Sequence, residues 1–174
     1  IHILFNIGVP DWRLDKLPAC YMQLLSQYEC LIADGLTENE ISQLKNRLVN
    51  VESLCHKLAN YDIEPSIVQP DFHDNNILID ERTRAITFID LGEIVVSHPF
   101  FSLTNCLYQA KRHHGLADTD NAYQQLVDAC LDQFRIFTSK KGLLEALRLA
   151  QQLEPVYQAL AYRRLMHACD EKNI

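Results

Sequence analysis

Three oxygen-bearing side chains near the middle of the 174-residue chain have the types and spacing that suit metal binding and proton transfer. Asp71 lies in a polar loop, Asn76 directly precedes the β-prone run 77–79, and Asp90 directly follows the β-prone run 85–89. The polar stretch between the two runs predicts a β-hairpin. An antiparallel hairpin would bring Asn76 and Asp90 to one end, where the loop that holds Asp71 also arrives. Hard oxygen ligands in such a place suit Mg²⁺, which usually keeps some waters and also takes phosphate oxygens.

The segment around these residues is strongly acidic. It contains eight acids and only two arginines, so it carries nearly all of the formal net charge of −7; the acids are Asp62, Glu64, Asp71, Asp74, Asp80, Glu81, Asp90 and Glu93. Asp80, Glu81 and the two arginines fit a solvated turn of the hairpin. Asp71, Asn76 and Asp90, taken singly, are more typical of a turn or a helix cap than of a functional site. Their expected convergence beside one hairpin favours a functional site.

Helical patterns precede and follow this acidic centre. Apolar residues recur at helical spacing over 15–33, and a capping box of Thr37 and Glu40 opens a second helix that extends to Leu58. After Pro99 the pattern predicts helices over 100–114, 120–137, 140–153 and 155–169, while residues 1–13 are predicted to be extended. The expected fold is therefore mainly α with a small β-hairpin, an α+β class.

The composition favours a single globular domain and argues against a membrane-spanning protein. The chain is 48% hydrophobic and 22% charged, which is ordinary for a single globular domain. Its six cysteines form no CxxC pair, which predicts reduced thiols and a cytoplasmic location. No apolar run reaches the length of a membrane span, so we expect no membrane partner.

The basic residues argue against a nucleic-acid partner. An acidic chain binds nucleic acid poorly unless it has a local basic stripe. The densest basic clusters here are three pairs, which are typical of solvated helix faces; they are Lys111 and Arg112, Lys140 and Lys141, and Arg163 and Arg164.

Two motifs resemble those of a known family. The stretch QPDFHDNNIL at 69–78 is similar to the catalytic loop of aminoglycoside phosphotransferase and choline kinase-like enzymes, whose pattern is H-G-D-[FL]-H-x-x-N-[IV]-L. The stretch FIDLGE at 88–93 resembles their metal-binding strand end, and SHPFFSL at 97–103 resembles the short segment that follows it. The general protein-kinase arrangement has the same order of Asp, Asn and Asp.

The resemblance implies a role for each matching residue. Asp71 would be the catalytic residue that orients the acceptor hydroxyl and takes its proton. Asn76 and Asp90 would hold Mg²⁺ on the phosphates of ATP. The supporting residues would be Gln69, His73 and Glu93, with His73 bracing the loop and Glu93 reaching the metal through water.

The sequence also departs from the family pattern. Gln69 stands where His is usual, and Pro70 stands where Gly or Arg is usual. With five glycines in all, the chain has no Gly-rich loop, and no lysine-bearing strand precedes residue 15. The resemblance therefore implies a C-terminal lobe, with 1–14 as a leading segment from a missing N-terminal lobe and 15–174 as the helical lobe carrying the catalytic loop and hairpin at 67–93. We expect no nucleotide-clamp residues in this chain and no activity from it alone.

The expected function is ATP-dependent phosphoryl transfer to a hydroxyl of a small molecule. In the family, the helices after the metal-binding strand build the acceptor pocket, here 100–170. A cationic acceptor is favoured if the acids of this region line the pocket, and these acids include Asp118, Asp120, Asp128, Asp132 and Glu154. They are equally typical of exposed helix surfaces.

Two other functions remain open. The altered Gln69 and Pro70 suit a non-catalytic pseudokinase or a partner-binding module. Alternatively, Asp71-Phe72-His73 matches the D-x-H opening of metal-dependent hydrolases, with His98, His113 and His114 as further ligands.

Overall fold

A computed structural model describes residues 1–170, and it confirms the mainly α class with a small β part. The N-terminal helices are α1 His2–Asn6, α2 Leu17–Ser26, α3 Tyr28–Ala33, α4 Glu38–Asn46 and α5 Leu48–Ala59. The strands are β1 Ser66–Val68, β2 Ile77–Ile79, β3 Ile86–Phe88 and β4 Val95–Ser97. The C-terminal helices are α6 Phe100–His114, α7 Asn121–Asp132 and α8 Lys140–Asp170.

The predicted hairpin is present as the antiparallel pair β2 and β3. Ile77 pairs with Phe88 and Ile79 pairs with Ile86. The turn between them is closed by the Asp80 carboxylate, which accepts hydrogen bonds from the main-chain N–H groups of Arg82 and Thr83. This is the local side-chain bonding that makes Asp a turn former.

A second strand pair lies behind the hairpin, and the sequence interpretation found only half of it. The apolar pair 67–68 belongs to β1, which pairs antiparallel with β4, a strand that the apolar pattern did not single out. The strands β2 and β3 are equally short but follow each other across a polar turn, whereas β1 and β4 lie about 30 residues apart and no turn signal marks their pairing.

The leading segment differs from the extended conformation expected for 1–13. Residues His2–Asn6 form the short helix α1, which buries none of its residues. The following stretch is extended and lies beside β4: Trp12 N–H donates to Val96 O at 2.8 Å, and Val96 N–H donates to Pro10 O at 2.9 Å. The expectation was therefore wrong for the first half and right for the second.

The helix boundaries also differ from those that the apolar periodicity predicted. The helix expected over 15–33 is interrupted at Gln27, and the capped helix is interrupted at Arg47, although the capping box of Thr37 and Glu40 is formed as predicted. The helix expected to end at 137 stops at Asp132 and continues as turns. Conversely, the two helices expected on either side of Glu154 are one helix, α8, which continues through Pro155.

The core lies where α8 packs against α2, α5 and α6. Tyr157 of α8 is fully buried, stacks on Phe101 of α6 with ring centroids 4.5 Å apart, and meets Trp12 edge to face at 5.3 Å. This aromatic cluster fixes α8 on α6, because large rings bury the most apolar surface per residue. Both helices also supply residues to the site.

Two further findings concern the described residues. None of their helices combines the length and the apolar character needed to cross a bilayer. Five cysteines in this part of the chain are free, and only one of them, Cys55, is buried; the other four are Cys20, Cys30, Cys106 and Cys130. The side chain of Cys169 lies outside the described part of the chain.

Candidate active site

The loop that carries Asp71 is fastened to α6 on one side and to the hairpin on the other. Asn105 of α6 donates to the Phe72 carbonyl at 3.3 Å, and the Phe72 ring lies 5.7 Å from the ring of Phe88 in β3. Ser102 of α6 accepts from the main-chain N–H of Gln69 at 3.0 Å. With its neighbours fixed, Asp71 presents a half-exposed carboxylate to solvent.

His73 braces this carboxylate. Its Nδ1 accepts from the main-chain N–H of Asn75 at 3.2 Å, so the proton of the neutral ring belongs on Nε2. Nε2 lies 3.3 Å from Asp71 Oδ2 and therefore donates to it. His73 therefore contacts the Asp71 carboxylate directly, and its supporting role in the reaction stays a prediction.

Asn76 links the loop to the hairpin. Its Nδ2 donates to the Asp71 carbonyl at 2.8 Å, and its own carbonyl accepts from Ile89 N–H at 3.1 Å. Asn76 and Asp90 consequently emerge from the same end of the hairpin, as expected. Among the residues whose side chains the structure describes, 1–166, no hydrogen bond engages Asn76 Oδ1, which leaves this oxygen available as a ligand.

Asp90 has a left-handed backbone, with φ 57° and ψ 54°. This conformation costs an L-residue roughly 1–2 kcal/mol, and apart from Gly it is tolerated best by Asn and Asp. The carbonyl of Asp90 accepts a hydrogen bond from Gln69 Nε2. Gln69, the residue found where the family pattern has His, is 7% exposed, so this hydrogen bond is a buried link between the Asp71 loop and the end of the hairpin.

The pKa of Glu93 reflects the negative charges that surround it. Burial raises the pKa of its carboxyl group above the usual 4.5, and the negative charges of Asp71 and Asp90 raise it further, while Arg164 opposes them. Three carboxylates therefore share one electrostatic environment, which favours a bound cation.

These donors fit Mg²⁺. An amide oxygen and carboxylates are hard ligands, and Mg²⁺ is usually held by one or two protein groups together with waters and substrate phosphates. In the part of the chain that the structure describes, no three His, Cys, Asp or Glu side chains are arranged to hold a metal ion. Asn76 and Asp90 are the two protein groups here that would hold such an ion, with waters and phosphate oxygens as its other ligands.

The histidines of the hydrolase alternative do not converge. His98 lies just before α6 and His113 and His114 lie at its end, which separates them by roughly 20 Å at 1.5 Å per residue. His113 and His114 instead contact the Asp74 carboxylate, at 2.8 and 3.3 Å. The contact with His113 lowers the pKa of Asp74 below its usual value and ties the catalytic loop to α6.

Two pockets lie along α8, and Asp71 lines only the smaller of them. The smaller, the loop pocket, has a volume of about 200 Å³ and is lined by Pro70, Asp71, Glu93, Gln158, Ala161, Tyr162 and Leu165. The larger, the helical pocket, has a volume of about 620 Å³ and is lined by Thr104, Asn105, Tyr108, Gln109, Lys111, Asp118, Tyr123, Gln151, Glu154 and Gln158. Gln158 lines both pockets, so they meet at α8.

The acids considered for an acceptor pocket separate into two groups. Three are exposed and Asp128 is half-buried, and all four make contacts near the surface: Asp118 pairs with Lys111, Asp128 pairs with Lys140, Asp132 pairs with Arg135, and Asp120 accepts from Ala117 N–H. Glu154 is partly buried in the helical pocket, and its carboxylate accepts from the neutral side chains of Thr104 and Gln158, the latter at 2.7 Å.

Arg163 and Arg164 do not lie on a solvated helix face, contrary to the expectation for this basic pair. Arg163 donates to Gln27 Oε1 at 2.6 Å, whereas Arg164 donates to main-chain carbonyls of the turn after Asp90. Nothing in the local sequence separates this pair from the exposed Lys140 and Lys141. Only the packing of α8 against two different loops assigns each arginine its partner.

The comparisons with known proteins agree with this geometry. A family model described as the phosphotransferase enzyme family matches residues 4–137, a span that includes Asp71, Asn76 and Asp90. No curated protein and no solved structure matches the chain. Because the matched span is well over half of its length, the chain belongs to the phosphotransferase enzyme family, in agreement with its motif resemblance to aminoglycoside phosphotransferases.

Proposed function

We propose that the protein is an ATP-dependent phosphotransferase that moves the γ-phosphoryl group to a hydroxyl of a small molecule. The observation that carries the proposal is the junction of the catalytic loop and the hairpin end. There Asn76 donates to Asp71 O at 2.8 Å and accepts from Ile89 N–H, next to Asp90, at 3.1 Å. Phosphoryl transfer depends mainly on positioning and charge neutralisation, and this junction has groups for both.

In the proposed reaction Asp71 is the catalytic residue. Its carboxylate orients the acceptor hydroxyl and accepts its proton as the hydroxyl oxygen bonds to the γ-phosphorus of ATP. The bond between the γ-phosphorus and the β–γ bridging oxygen breaks, which releases ADP. His73 keeps the Asp71 carboxylate in place through its Nε2, 3.3 Å away.

Asn76 and Asp90 would hold Mg²⁺, with Glu93 beside them. When bound, this ion neutralises charge on the nucleotide phosphates. The absence of Lys and Arg between Lys57 and Arg82 supports this role, because no basic cluster in that segment supplies the compensating charge.

We place the acceptor in the helical pocket, with its reacting hydroxyl in the loop pocket beside Asp71. The support is Gln158, which lines both pockets, and Asn105, which lines the helical pocket and holds the Asp71 loop. The partly buried carboxylate of Glu154 favours an acceptor that carries a positive charge, because no cationic side chain in the described part of the chain pairs with it.

The proposal assigns this chain the catalytic and acceptor-binding lobe and leaves nucleotide covering to other parts of the protein. The scarcity of glycine supports this division, because a phosphate-covering loop needs several. We further propose a cytoplasmic location, supported by the five free cysteines and by the need for ATP.

A non-catalytic module is the second candidate, and Gln69 and Pro70 are the features that favour it. Gln69, however, supplies a hydrogen bond to the Asp90 carbonyl and so braces the strand end itself. This contact supports the catalytic candidate over the non-catalytic one.

The test is Mg²⁺-dependent transfer from ATP to a panel of aminoglycosides, amino alcohols and neutral sugars, measured on the intact protein. Asp71→Asn should lower turnover about 10²–10⁴-fold, the usual contribution of a positioned base, and Asp90→Asn should abolish it through loss of a metal ligand. Glu81→Gln, in the exposed hairpin turn, is the matched control and should keep wild-type turnover. Full turnover in either site variant, with unchanged thermal unfolding in all three, would refute the proposal.

A further inference from the structure

The guanidinium group of Arg164 lies against the turn that follows Asp90. Its Nη1 donates to the carbonyls of Glu93 at 2.9 Å and Ile94 at 3.1 Å, and its Nη2 makes a longer contact of 3.5 Å with Gly92 O. One planar fork thus reaches three consecutive carbonyls, a geometry that a lysine ammonium cannot reproduce.

The turn has few other supports. It is a single 3₁₀ turn over Leu91–Glu93, and its closing hydrogen bond, from Ile94 N–H to Leu91 O, is long at 3.4 Å. It begins at Asp90, whose left-handed backbone stores strain that the surroundings must hold. Among the described residues, Gln69 and Arg164 are the side chains that donate to its carbonyls, one at each end.

We propose that Arg164 is a positioning residue for the metal site: it holds in place the turn that carries Asp90 and Glu93, at the hairpin end where Ile89 N–H bonds Asn76 O. This inference rests on the proposed function, since it assigns Mg²⁺ to Asn76 and Asp90. It goes beyond the family match, which ends at residue 137 and does not include α8.

The neighbouring arginine provides a matched control. Arg163 precedes Arg164 on the same helix and is similarly half-buried. It donates to Gln27 Oε1 at 2.6 Å and lies 3.1 Å from Cys30 Sγ. These contacts place it next to α3 and not at the turn that follows Asp90. Replacing Arg163 therefore removes a positive charge and the packing of a side chain that is similarly buried. Arg164 still donates to the turn after Asp90.

The experiment measures Mn²⁺ binding by electron paramagnetic resonance and the Mg²⁺ requirement of transfer, both on the intact protein. We expect Arg164→Ala to weaken Mn²⁺ binding about tenfold and to raise the half-maximal Mg²⁺ concentration in parallel, with the KM for the acceptor unchanged. Arg163→Ala should leave both metal measurements within twofold of wild type. Arg164→Lys should resemble Arg164→Ala, and it serves alone if the alanine variant does not fold.

The outcomes separate this inference from the proposed function. Wild-type Mn²⁺ affinity in Arg164→Ala, or full rescue by Arg164→Lys, would overturn the positioning role. An equal loss in Arg163→Ala would also overturn it, because the effect would then be general destabilisation of α8. Asp90→Asn is included as a reference: if it binds Mn²⁺ as wild type does, the metal assignment fails, and the proposed function fails with it.

Discussion

Glu154 places an ionisable carboxylate in a pocket where its hydrogen-bond donors are neutral. Thr104 Oγ1 and Gln158 Nε2 donate to it. Burial raises the pKa of Glu154 above the usual 4.5, and these two hydrogen bonds oppose that rise. A cationic ligand group beside the carboxylate would favour its charged form, because an opposite charge offsets the cost of desolvation.

We therefore expect Glu154→Gln to discriminate between acceptors. An acceptor amine should lose roughly 1.5–3 kcal/mol of interaction, the usual contribution of a hydrogen bond to a charged group, which raises its KM tenfold or more. A neutral sugar of similar size should keep its KM. Steady-state kinetics with both acceptor classes measures the difference.

The control for this variant is Glu145→Gln, on the same helix but exposed and outside the helical pocket. It should change neither KM. Equal increases for charged and neutral acceptors in Glu154→Gln would contradict the charge assignment and would indicate a packing role for Glu154.

At the scale of single residues, the sequence predicted the side chains whose neighbours lie nearby in the chain. Asp71, His73 and Asn76 come together within one loop, so their spacing was informative. Arg164 was missed because its partners lie some 70 residues away and are main-chain carbonyls, which carry no residue signature. Gln69 was noticed only as a departure, and its bond to the Asp90 carbonyl required the folded hairpin.

At the scale of elements, the local interactions that start a helix were more predictable than those that interrupt one. Thr37 and Glu40 satisfy each other's main-chain N–H groups, at 3.2 and 2.8 Å, and this exchange needs only four residues. The break at Gln27 has no such signature. Pro155 normally ends a helix because it lacks an N–H group, yet α8 continues, with Tyr157 fully buried in the core beyond it.

The capping box gives an element-scale prediction. Thr37→Ala removes the side-chain acceptor of Glu40 N–H and should lower the free energy of unfolding by about 1 kcal/mol, the typical value of an N-cap. Urea denaturation should show a lower midpoint with an unchanged slope. Because α4 contributes no residue to the site, metal binding should be unaffected.

Ser42→Ala is the matched control, since Ser42 is exposed in the interior of the same helix. Alanine has the higher helix propensity, so this variant should be neutral or slightly stabilising. A loss equal to that of Thr37→Ala would assign the effect to α4 as a whole rather than to its cap.

At the scale of the whole molecule, the composition indicated a single globular domain. The core that supports the site, however, depends on contacts between residues far apart in the sequence. The pairing of β1 with β4 joins residues about 30 positions apart, and Trp12 reaches Tyr157 across nearly the whole chain. Three-residue strands and isolated aromatics carry no pattern in sequence that specifies such partners.

His98 couples the stability of the whole molecule to pH. It is 2% exposed, its Nδ1 accepts from Phe100 N–H at 3.2 Å, and its Nε2 is buried without a partner among the described residues. Burial lowers its pKa from 6.5 to about 4. Between these two values the unfolded chain binds a proton that the folded protein does not.

His98 therefore makes its full contribution to the free energy of unfolding above pH 6.5, and this contribution is lost as the pH falls toward 4. The difference in pKa corresponds to about 3 kcal/mol of unfolding free energy at pH 4. His98→Asn retains an acceptor for Phe100 N–H but cannot titrate, so urea denaturation between pH 4.5 and 7 should show a flatter dependence on pH than wild type. His56→Asn, at an exposed position of α5, should keep the wild-type slope. Because the other titrating groups are common to all three proteins, parallel slopes for wild type and His98→Asn would exclude His98 as the source of acid sensitivity.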